Sequence, residues 1–152
     1  MKRTLIAIAI ILTVIITSTV VLAFSPKGNL KQSGGSAETT YELAMKDKKP
    51  LVLLFSSEWC SYCVKFMPKY KIIEDIYKDK YNFVVIDMNN SNSNDIVREY
   101  AIGTMPTLYI VDPKIDNRIL ISQTLYEDLE KLKAELDRYL RVRSMIPEDR
   151  FR

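Results

Sequence analysis

The chain contains only two cysteines, and their position constrains its fold more than any other feature of the sequence. Cys60 and Cys63 are three residues apart. They follow a continuous apolar run over residues 51–55, which is typical of a buried central strand. Residues 61–80, which come directly after the first cysteine, predict a long helix. A single pair of cysteines cannot form the framework of a disulfide-rich domain, so the pair indicates a reactive site between a strand and a helix.

Cysteines at the start of a helix lie beside unpaired backbone N–H groups and the positive end of the helix dipole. Such sites lower a thiol pKa from about 8.5 into the range of roughly 3.5–7.5. We therefore expect Cys60 to be exposed and nucleophilic, and Cys63 to be more buried and to resolve the mixed disulfide. An inert disulfide is the bland alternative, but closing a loop of four residues stabilises a fold by only roughly 2 kcal/mol. Metal binding is the main rival.

The rest of the sequence predicts alternating helices and strands that end in a hairpin and a final helix. In the first helix, over residues 39–48, Leu43 and Ala44 are expected to face the core. This order implies an α/β fold in which a mixed central sheet is flanked by helices. The other predicted elements are strands over 83–87, 107–111 and 118–122, a loop over 89–94, and helices over 95–100 and 126–143.

The amino terminus predicts a membrane anchor. Residues 4–26 carry no charged side chain, and as a helix they would span roughly 34 Å, enough for a hydrocarbon core of about 30 Å. Lys2 and Arg3 precede them, which favours a cytoplasmic amino terminus and an extracytoplasmic domain. We expect an uncleaved signal anchor over residues 1–25, with cleavage as the alternative. The protein would then be a single-pass protein of the cytoplasmic (inner) membrane, with its domain on the periplasmic side.

The charges and the missing residue types exclude several functions. Residues 26–38 are polar and contain Gly and Ser, which predicts a flexible linker; residues 39–143 would form the domain and residues 144–152 a basic tail. Without Lys2 and Arg3 the chain has 20 basic and 19 acidic residues, so its charge does not favour nucleic-acid binding. The sequence has no histidine, which excludes Ser-His-Asp and Cys-His catalysis and histidine-ligated metal sites.

Three motifs in the correct order resemble the thioredoxin superfamily. Residues 55–63, Phe-Ser-Ser-Glu-Trp-Cys-Ser-Tyr-Cys, resemble the family's strand, tryptophan and active-site run. Pro68 matches the family's kinking proline. Residues 100–107, Tyr-Ala-Ile-Gly-Thr-Met-Pro-Thr, resemble the segment that leads to its cis-proline. The resemblance covers about residues 39–143 and implies a thioredoxin fold, here preceded by one transmembrane helix.

The resemblance also implies the site. Cys60 would be the nucleophile and Cys63 the resolving thiol, with the redox-active disulfide between them as the only redox group and no other cofactor or metal. Its partners would be protein thiols and disulfides and a membrane thiol–electron carrier, and the protein would be a monomer. An extended substrate would pair with the Met105 backbone as an added strand. The substrate-binding residues implied are Trp59, Ser61, Tyr62, Met105 and Pro106, the last with a cis peptide bond.

Three positions depart from the family pattern. Ser61 and Tyr62 stand between the cysteines where thioredoxins commonly have Gly-Pro, so the direction of electron flow does not carry over. Leu54 stands where cytoplasmic thioredoxins have a buried aspartate that assists proton transfer. The sequence thus leaves the source of proton-transfer help open.

The combined expectation is a membrane-anchored extracytoplasmic thiol–disulfide oxidoreductase that acts as a reductant, because the sequence shows no added helical domain. Two alternatives remain open. One is a Cu(I)-handling protein with Cys60, Cys63 and Met105 as soft ligands. The other is a non-catalytic binding module that retains the thioredoxin fold.

Overall fold

A computed structural model describes residues 37–147 of the chain. The predicted anchor over residues 1–25, most of the predicted linker and the end of the predicted tail lie outside these residues. Within residues 37–147, no helix has the length and apolar character that crossing a membrane requires.

The described residues form helices and strands in nearly the predicted order. A short 3-10 helix, Ser91–Ser93, lies within the predicted loop over residues 89–94. The elements are α1 (Ala37–Lys46), β1 (Leu51–Ser56), α2 (Ser61–Tyr77), β2 (Asn82–Asp87), α3 (Asn94–Glu99), β3 (Thr107–Asp112), β4 (Asn117–Ile121), α4 (Gln123–Tyr126) and α5 (Leu129–Ser144).

The strands form one mixed sheet in the order β2-β1-β3-β4, which confirms the predicted sheet type. β1 pairs parallel with β2 and antiparallel with β3, and β3 pairs antiparallel with β4. All six residues of β1 are buried, as expected for a central strand that is covered on both faces. Because Thr107 lies opposite Phe55, the segment before β3 and the loop after β1 lie beyond the same ends of the strands.

Hydrophobic clusters cover the two faces of the sheet. Side chains alternate between the faces of a strand, so Leu54 belongs to the cluster with α2 and α5, whereas Leu53 belongs to the cluster with α1 and α3. Helix α2 continues through Pro68. Leu54 is completely buried among apolar side chains, so the position of the family's aspartate is part of the core here.

The first helix is rotated from the predicted orientation. Leu43 is 64% exposed, so the expectation that it faces the core is wrong, whereas Ala44 is buried as expected. Tyr41 also faces inward, and its hydroxyl lies 3.0 Å from that of Tyr100. This contact sets the rotation of α1. The helix also begins at Ala37, inside the predicted linker.

The last predicted helix, over residues 126–143, is present as α5 but begins at Leu129, and a separate short helix, α4, ends at Tyr126. Asp128 lies between them with an extended backbone, and its carboxylate accepts hydrogen bonds from the N–H groups of Glu130 (3.0 Å) and Lys131 (3.2 Å). Aspartate is among the preferred N-cap residues. The Asp128 cap therefore begins α5 as a new helix, separate from α4, which contains Tyr126.

A buried ion pair fastens the end of α5 to the sheet. Asp112, at the end of β3, is fully buried; it accepts a hydrogen bond from the Tyr139 hydroxyl at 3.0 Å and is paired with the Arg143 guanidinium. Arg143 also donates to the Lys48 carbonyl at 2.7 Å. Because β3 runs antiparallel to β1, this pair lies at the ends of the strands that are farthest from the cysteines.

Candidate active site at the Cys60–Cys63 motif

Cys60 is the N-cap residue of α2. Its backbone is extended (φ −90°, ψ 110°), and its Sγ accepts a hydrogen bond from the Cys63 N–H at 3.2 Å. The Val64 N–H donates to the Cys60 carbonyl at 3.0 Å and closes the first turn. A capping side chain normally offers an oxygen to these N–H groups, and here a sulfur takes that place.

The two thiols differ in acidity because they differ in surroundings. Hydrogen bonds from the Cys63 thiol, and then from the backbone N–H groups of Cys63 and Tyr62, lower the pKa of Cys60. Burial, and then the neighbouring Cys60, raise the pKa of Cys63, whose side chain is 1% exposed. Cys60 therefore ionises first, which suits an accessible nucleophile beside a buried resolving thiol.

The proline loop, which contains Met105 and Pro106 and precedes β3, faces Cys60. The Met105–Pro106 peptide bond is cis, as the resemblance implies. The Met105 carbonyl lies 3.7 Å from Cys60 Sγ, and the Pro106 carbonyl accepts a hydrogen bond from the Tyr126 hydroxyl at 2.9 Å. The structure thus brings Met105 and Pro106 to the first cysteine, and Tyr126 is an additional residue that sequence reasoning missed.

Polar contacts hold the segment before Cys60. Ser57 Oγ accepts hydrogen bonds from the Trp59 N–H (3.2 Å) and from the side-chain amide of Asn89 (2.6 Å). The Trp59 side chain is 87% exposed, and Tyr62 is also exposed, so both aromatic rings are available to a partner. Asn89 was missed as well, because an Asn/Ser-rich loop carries no signal of which amide turns toward the site.

A groove of about 440 Å³ lies beside the motif. Three of the predicted substrate-binding residues line it, namely Tyr62, Met105 and Pro106, whereas Trp59 and Ser61 do not. The opposite wall comes from the end of β4 and from α4, which the sequence did not indicate. That wall contains Leu120, Ile121, Ser122, Gln123 and Tyr126.

Residues 37–147 contain no group of three or more His, Cys, Asp or Glu residues placed to hold a metal ion. No carboxylate is among the groups that shift the pKa of Cys63. Lys65 lies over the Tyr62 ring, 5.8 Å from its centroid, and so neighbours one of the exposed aromatic residues.

Comparisons with known proteins agree with this geometry. The thioredoxin-like protein HCF164 of Oryza sativa chloroplasts is 31% identical over 84 residues, which are 55% of this chain and 32% of that protein. The thiol:disulfide interchange protein TxlA of Synechococcus elongatus is 27% identical over 68 residues, 45% of this chain and 36% of that protein. The chain thus matches only about a third of the length of these relatives.

Solved structures show the same fold. Thioredoxin f2 of Chlamydomonas reinhardtii superposes with a TM-score of 0.56 at 19% identity, covering 69% of this chain and 93% of that one. Trichomonas vaginalis thioredoxin superposes with a TM-score of 0.54 at 18% identity, covering 69% and 92%. The sequence profile of the family described as Thioredoxin matches residues 35–137, more than half of the 152-residue chain. The chain therefore belongs to the thioredoxin family, with Cys60-Ser61-Tyr62-Cys63 as its Cys-x-x-Cys motif.

Proposed function

We propose that this protein is a thiol–disulfide oxidoreductase that exchanges disulfides with protein substrates through Cys60 and Cys63. One observation carries the proposal: Cys60 Sγ caps α2 at 3.2 Å from the Cys63 N–H, while the Cys63 side chain is buried one turn into the helix. This arrangement provides one reactive thiolate and one protected thiol, which are the two groups that disulfide exchange requires.

The reaction has two steps. The Cys60 thiolate attacks one sulfur of the partner's disulfide, an S–S bond forms between the two proteins, and the other partner sulfur leaves as a thiolate. Cys63 then loses its proton and attacks Cys60 Sγ, which releases the partner's second thiolate and leaves a Cys60–Cys63 disulfide. Two electrons pass to the partner, and its two thiolates take up two protons.

We further propose that an extended segment of the partner lies along the groove and pairs with the Met105 backbone. Such pairing supplies main-chain hydrogen bonds without regard to sequence. The exposed Trp59 ring and the groove residues Tyr62 and Met105 offer apolar surface around Cys60. Aromatic side chains of this kind suit protein substrates better than small disulfides.

The proposed direction is reduction of the partner, on the extracytoplasmic side of a membrane that holds residues 1–25. Helix α3 ends at Glu99 and β3 begins at Thr107, which leaves no helical insertion before the proline strand of the kind found in disulfide oxidases of this superfamily. The names of the relatives support exchange chemistry in general. Electrons would reach Cys60–Cys63 from a membrane thiol carrier.

Reduction of insulin by the full chain, with dithiothreitol as the source of electrons, tests the activity. We expect turnover that Cys60→Ser abolishes, and we expect Cys63→Ser to accumulate a mixed disulfide with its partner. No turnover with accessible thiols would instead favour a non-catalytic binding module. The equilibrium of Cys60–Cys63 with glutathione tests the direction, since a strongly oxidising value would contradict the reductant role.

Location and metal handling need separate experiments. Labelling of Cys60 in intact cells with a membrane-impermeant maleimide tests the extracytoplasmic placement, with a cytoplasmic thiol protein as the control. Protection of Cys60 from the reagent until the cells are lysed would contradict that placement. Cu(I) binding by Cys60, Cys63 and Met105 stays a prediction, which titration of the reduced protein tests.

A further inference from the structure

We propose that Tyr126 is a positioning residue for substrate pairing, because its hydroxyl holds the loop that presents the Met105 carbonyl beside Cys60. The inference rests on the proposed function and assigns to one side chain of α4 the task of fixing the surface on which an extended substrate lies. Tyr126 touches neither reacting sulfur in this account; it acts through Pro106.

The Tyr126 ring is held by the helix that carries the cysteines. The ring packs against Phe66 of α2, with ring centroids 4.9 Å apart, and the Tyr126 side chain is only 5% exposed. Phe66 lies one turn after Cys63 on the helix that carries the cysteines. The same helix that positions the thiols therefore also fixes the place of the phenol.

The Tyr126 hydroxyl donates to the Pro106 carbonyl at 2.9 Å, and Pro106 is buried. A buried carbonyl without a donor is costly, and proline has no N–H with which its own loop could pair. The phenol thus satisfies a backbone group that the loop would otherwise have to turn toward water.

Pro106 links the Tyr126 hydroxyl to the Met105 carbonyl beside Cys60. The Met105 carbonyl is the next one along the backbone, and it lies 3.7 Å from Cys60 Sγ. On the other side of Pro106, the Thr107 hydroxyl donates to the Thr104 carbonyl at 2.7 Å. The loop is therefore fastened at two points, one within itself and one to α4, and a change at Pro106 displaces Met105.

The protonation of the phenol supports its role as a donor. Burial, and then the negative charges of Glu127, Cys63 and Cys60, raise the pKa of Tyr126. The hydroxyl therefore keeps its proton when Cys60 is a thiolate, and the bond to Pro106 persists in the reactive state. Because the thiolate disfavours loss of this proton, Tyr126 does not serve as the base for Cys63.

The test compares Tyr126→Phe with Tyr81→Phe as the matched control. Tyr81 is also buried, at 1% exposure, and its hydroxyl also donates to a backbone carbonyl, that of Leu136, at 2.8 Å. Tyr81 directly precedes β2, at the end of the strands that is farthest from the cysteines. Both variants lose one oxygen atom and one hydrogen bond, so both should fold and lose similar stability in thermal unfolding.

The readout is the rate at which the reduced full chain, in detergent micelles, reduces two disulfides. One is an oxidised peptide of about ten residues, long enough to pair as a strand, and the other is hydroxyethyl disulfide, which has no peptide backbone. Stopped-flow fluorescence of Trp59, the single tryptophan in the chain, follows one turnover. The dependence on peptide concentration separates binding from chemistry.

We expect Tyr126→Phe to lower the second-order rate constant for the peptide about fivefold, in line with the loss of one hydrogen bond. The loss should appear as a higher peptide concentration at half-saturation, and the rate with hydroxyethyl disulfide should not change. Tyr81→Phe should react like the unmodified chain with both disulfides. Peptide rates for Tyr126→Phe that equal those of Tyr81→Phe would overturn the inference. Equal losses on both disulfides would overturn it too, because they would place Tyr126 in the thiol chemistry.

Failure of the proposed function gives a different result. If the unmodified chain reduces neither disulfide although Cys60 reacts with iodoacetamide, the proposed function is wrong and the positioning role falls with it. If the unmodified chain reduces both disulfides but Tyr126→Phe does not differ from Tyr81→Phe, the positioning role is wrong and the proposed function is unaffected.

Discussion

Replacing Cys63 separates the two hydrogen bonds by which Cys63 itself lowers the pKa of Cys60. The Cys63 thiol and the Cys63 backbone N–H, at 3.2 Å from Cys60 Sγ, both lower the pKa of Cys60, and the thiol has the larger effect. Cys63→Ala removes the thiol and keeps the N–H, whereas Cys63→Ser offers a hydroxyl in its place. We therefore expect the pKa of Cys60 to be higher in Cys63→Ala than in Cys63→Ser.

The size of this difference follows from the bond that is lost. A hydrogen bond to a charged group contributes about 1.5–3 kcal/mol when it is shielded from water. Cys60 is partly exposed, so screening by solvent reduces this to about 1.4 kcal/mol, or about one pKa unit. Each variant retains a single cysteine, so the rate of iodoacetamide alkylation against pH, or thiolate absorbance at 240 nm, reports Cys60 alone.

The same shifts fix the sign of the dependence of stability on pH. Because the pKa of Cys60 is lower in the folded than in the unfolded chain, its contribution to the free energy of unfolding is present above the unfolded pKa. It is lost as pH falls through the folded pKa. Urea unfolding of Cys63→Ser should therefore give a stability that rises across this interval. Identical Cys60 pKa values in the two variants would refute the account of the acidity.

Two further pairs of substitutions test how well water is excluded from the interior. Arg143→Met leaves Asp112 buried without its charged partner and should cost about 3–5 kcal/mol in urea unfolding. Arg98→Met breaks a pair with Asp95 in which both side chains are exposed, and it should cost less than about 0.5 kcal/mol. Equal losses would contradict the burial of Asp112. Above neutral pH, Leu54→Asp should be less stable than Leu54→Asn by at least about 1 kcal/mol. Burial raises the pKa of the introduced carboxyl, so its ionisation favours the unfolded chain. A difference in stability between the two variants that does not grow with pH would show that water reaches this position.

Most of the fold could be predicted from short-range patterns. The strand before Cys60 and the helix after it depend on residues that are adjacent in the sequence, whereas the cis bond before Pro106 is implied by the resemblance to the thioredoxin superfamily alone. The rotation of α1 could not be predicted, because the apolar residues of that helix do not decide whether Leu43 or Tyr41 faces inward. The contact of Tyr41 with Tyr100 decides it, and the two residues are 59 positions apart.

The wall of the groove could not be predicted for a similar reason. In the sequence, Tyr126 resembles any other aromatic residue of an amphipathic helix, but the cap at Asp128 begins α5 after it and leaves Tyr126 in the separate short helix α4. Its hydroxyl reaches Pro106 only because Leu108 pairs with Ile121 in the β3–β4 hairpin, which places the start of α4 beside the proline loop. A sequence pattern indicates the period of a helix, but it does not indicate which carbonyl a side chain will meet.

The cap at the start of α2 couples the stability of a helix to an electrode potential. While Cys60 is a thiolate, its charge at the helix amino terminus contributes about 0.3–1 kcal/mol, and this contribution vanishes when the sulfur joins a disulfide. Since 30 mV corresponds to about 1.4 kcal/mol for two electrons, the cap alone makes the couple more oxidising by only about 6–20 mV. Potentials within this family differ by about 150 mV. The residues that set the direction of electron flow must therefore act beyond the cap, and Ser61 and Tyr62, between the two sulfurs, are the first positions at which to exchange side chains while recording the potential.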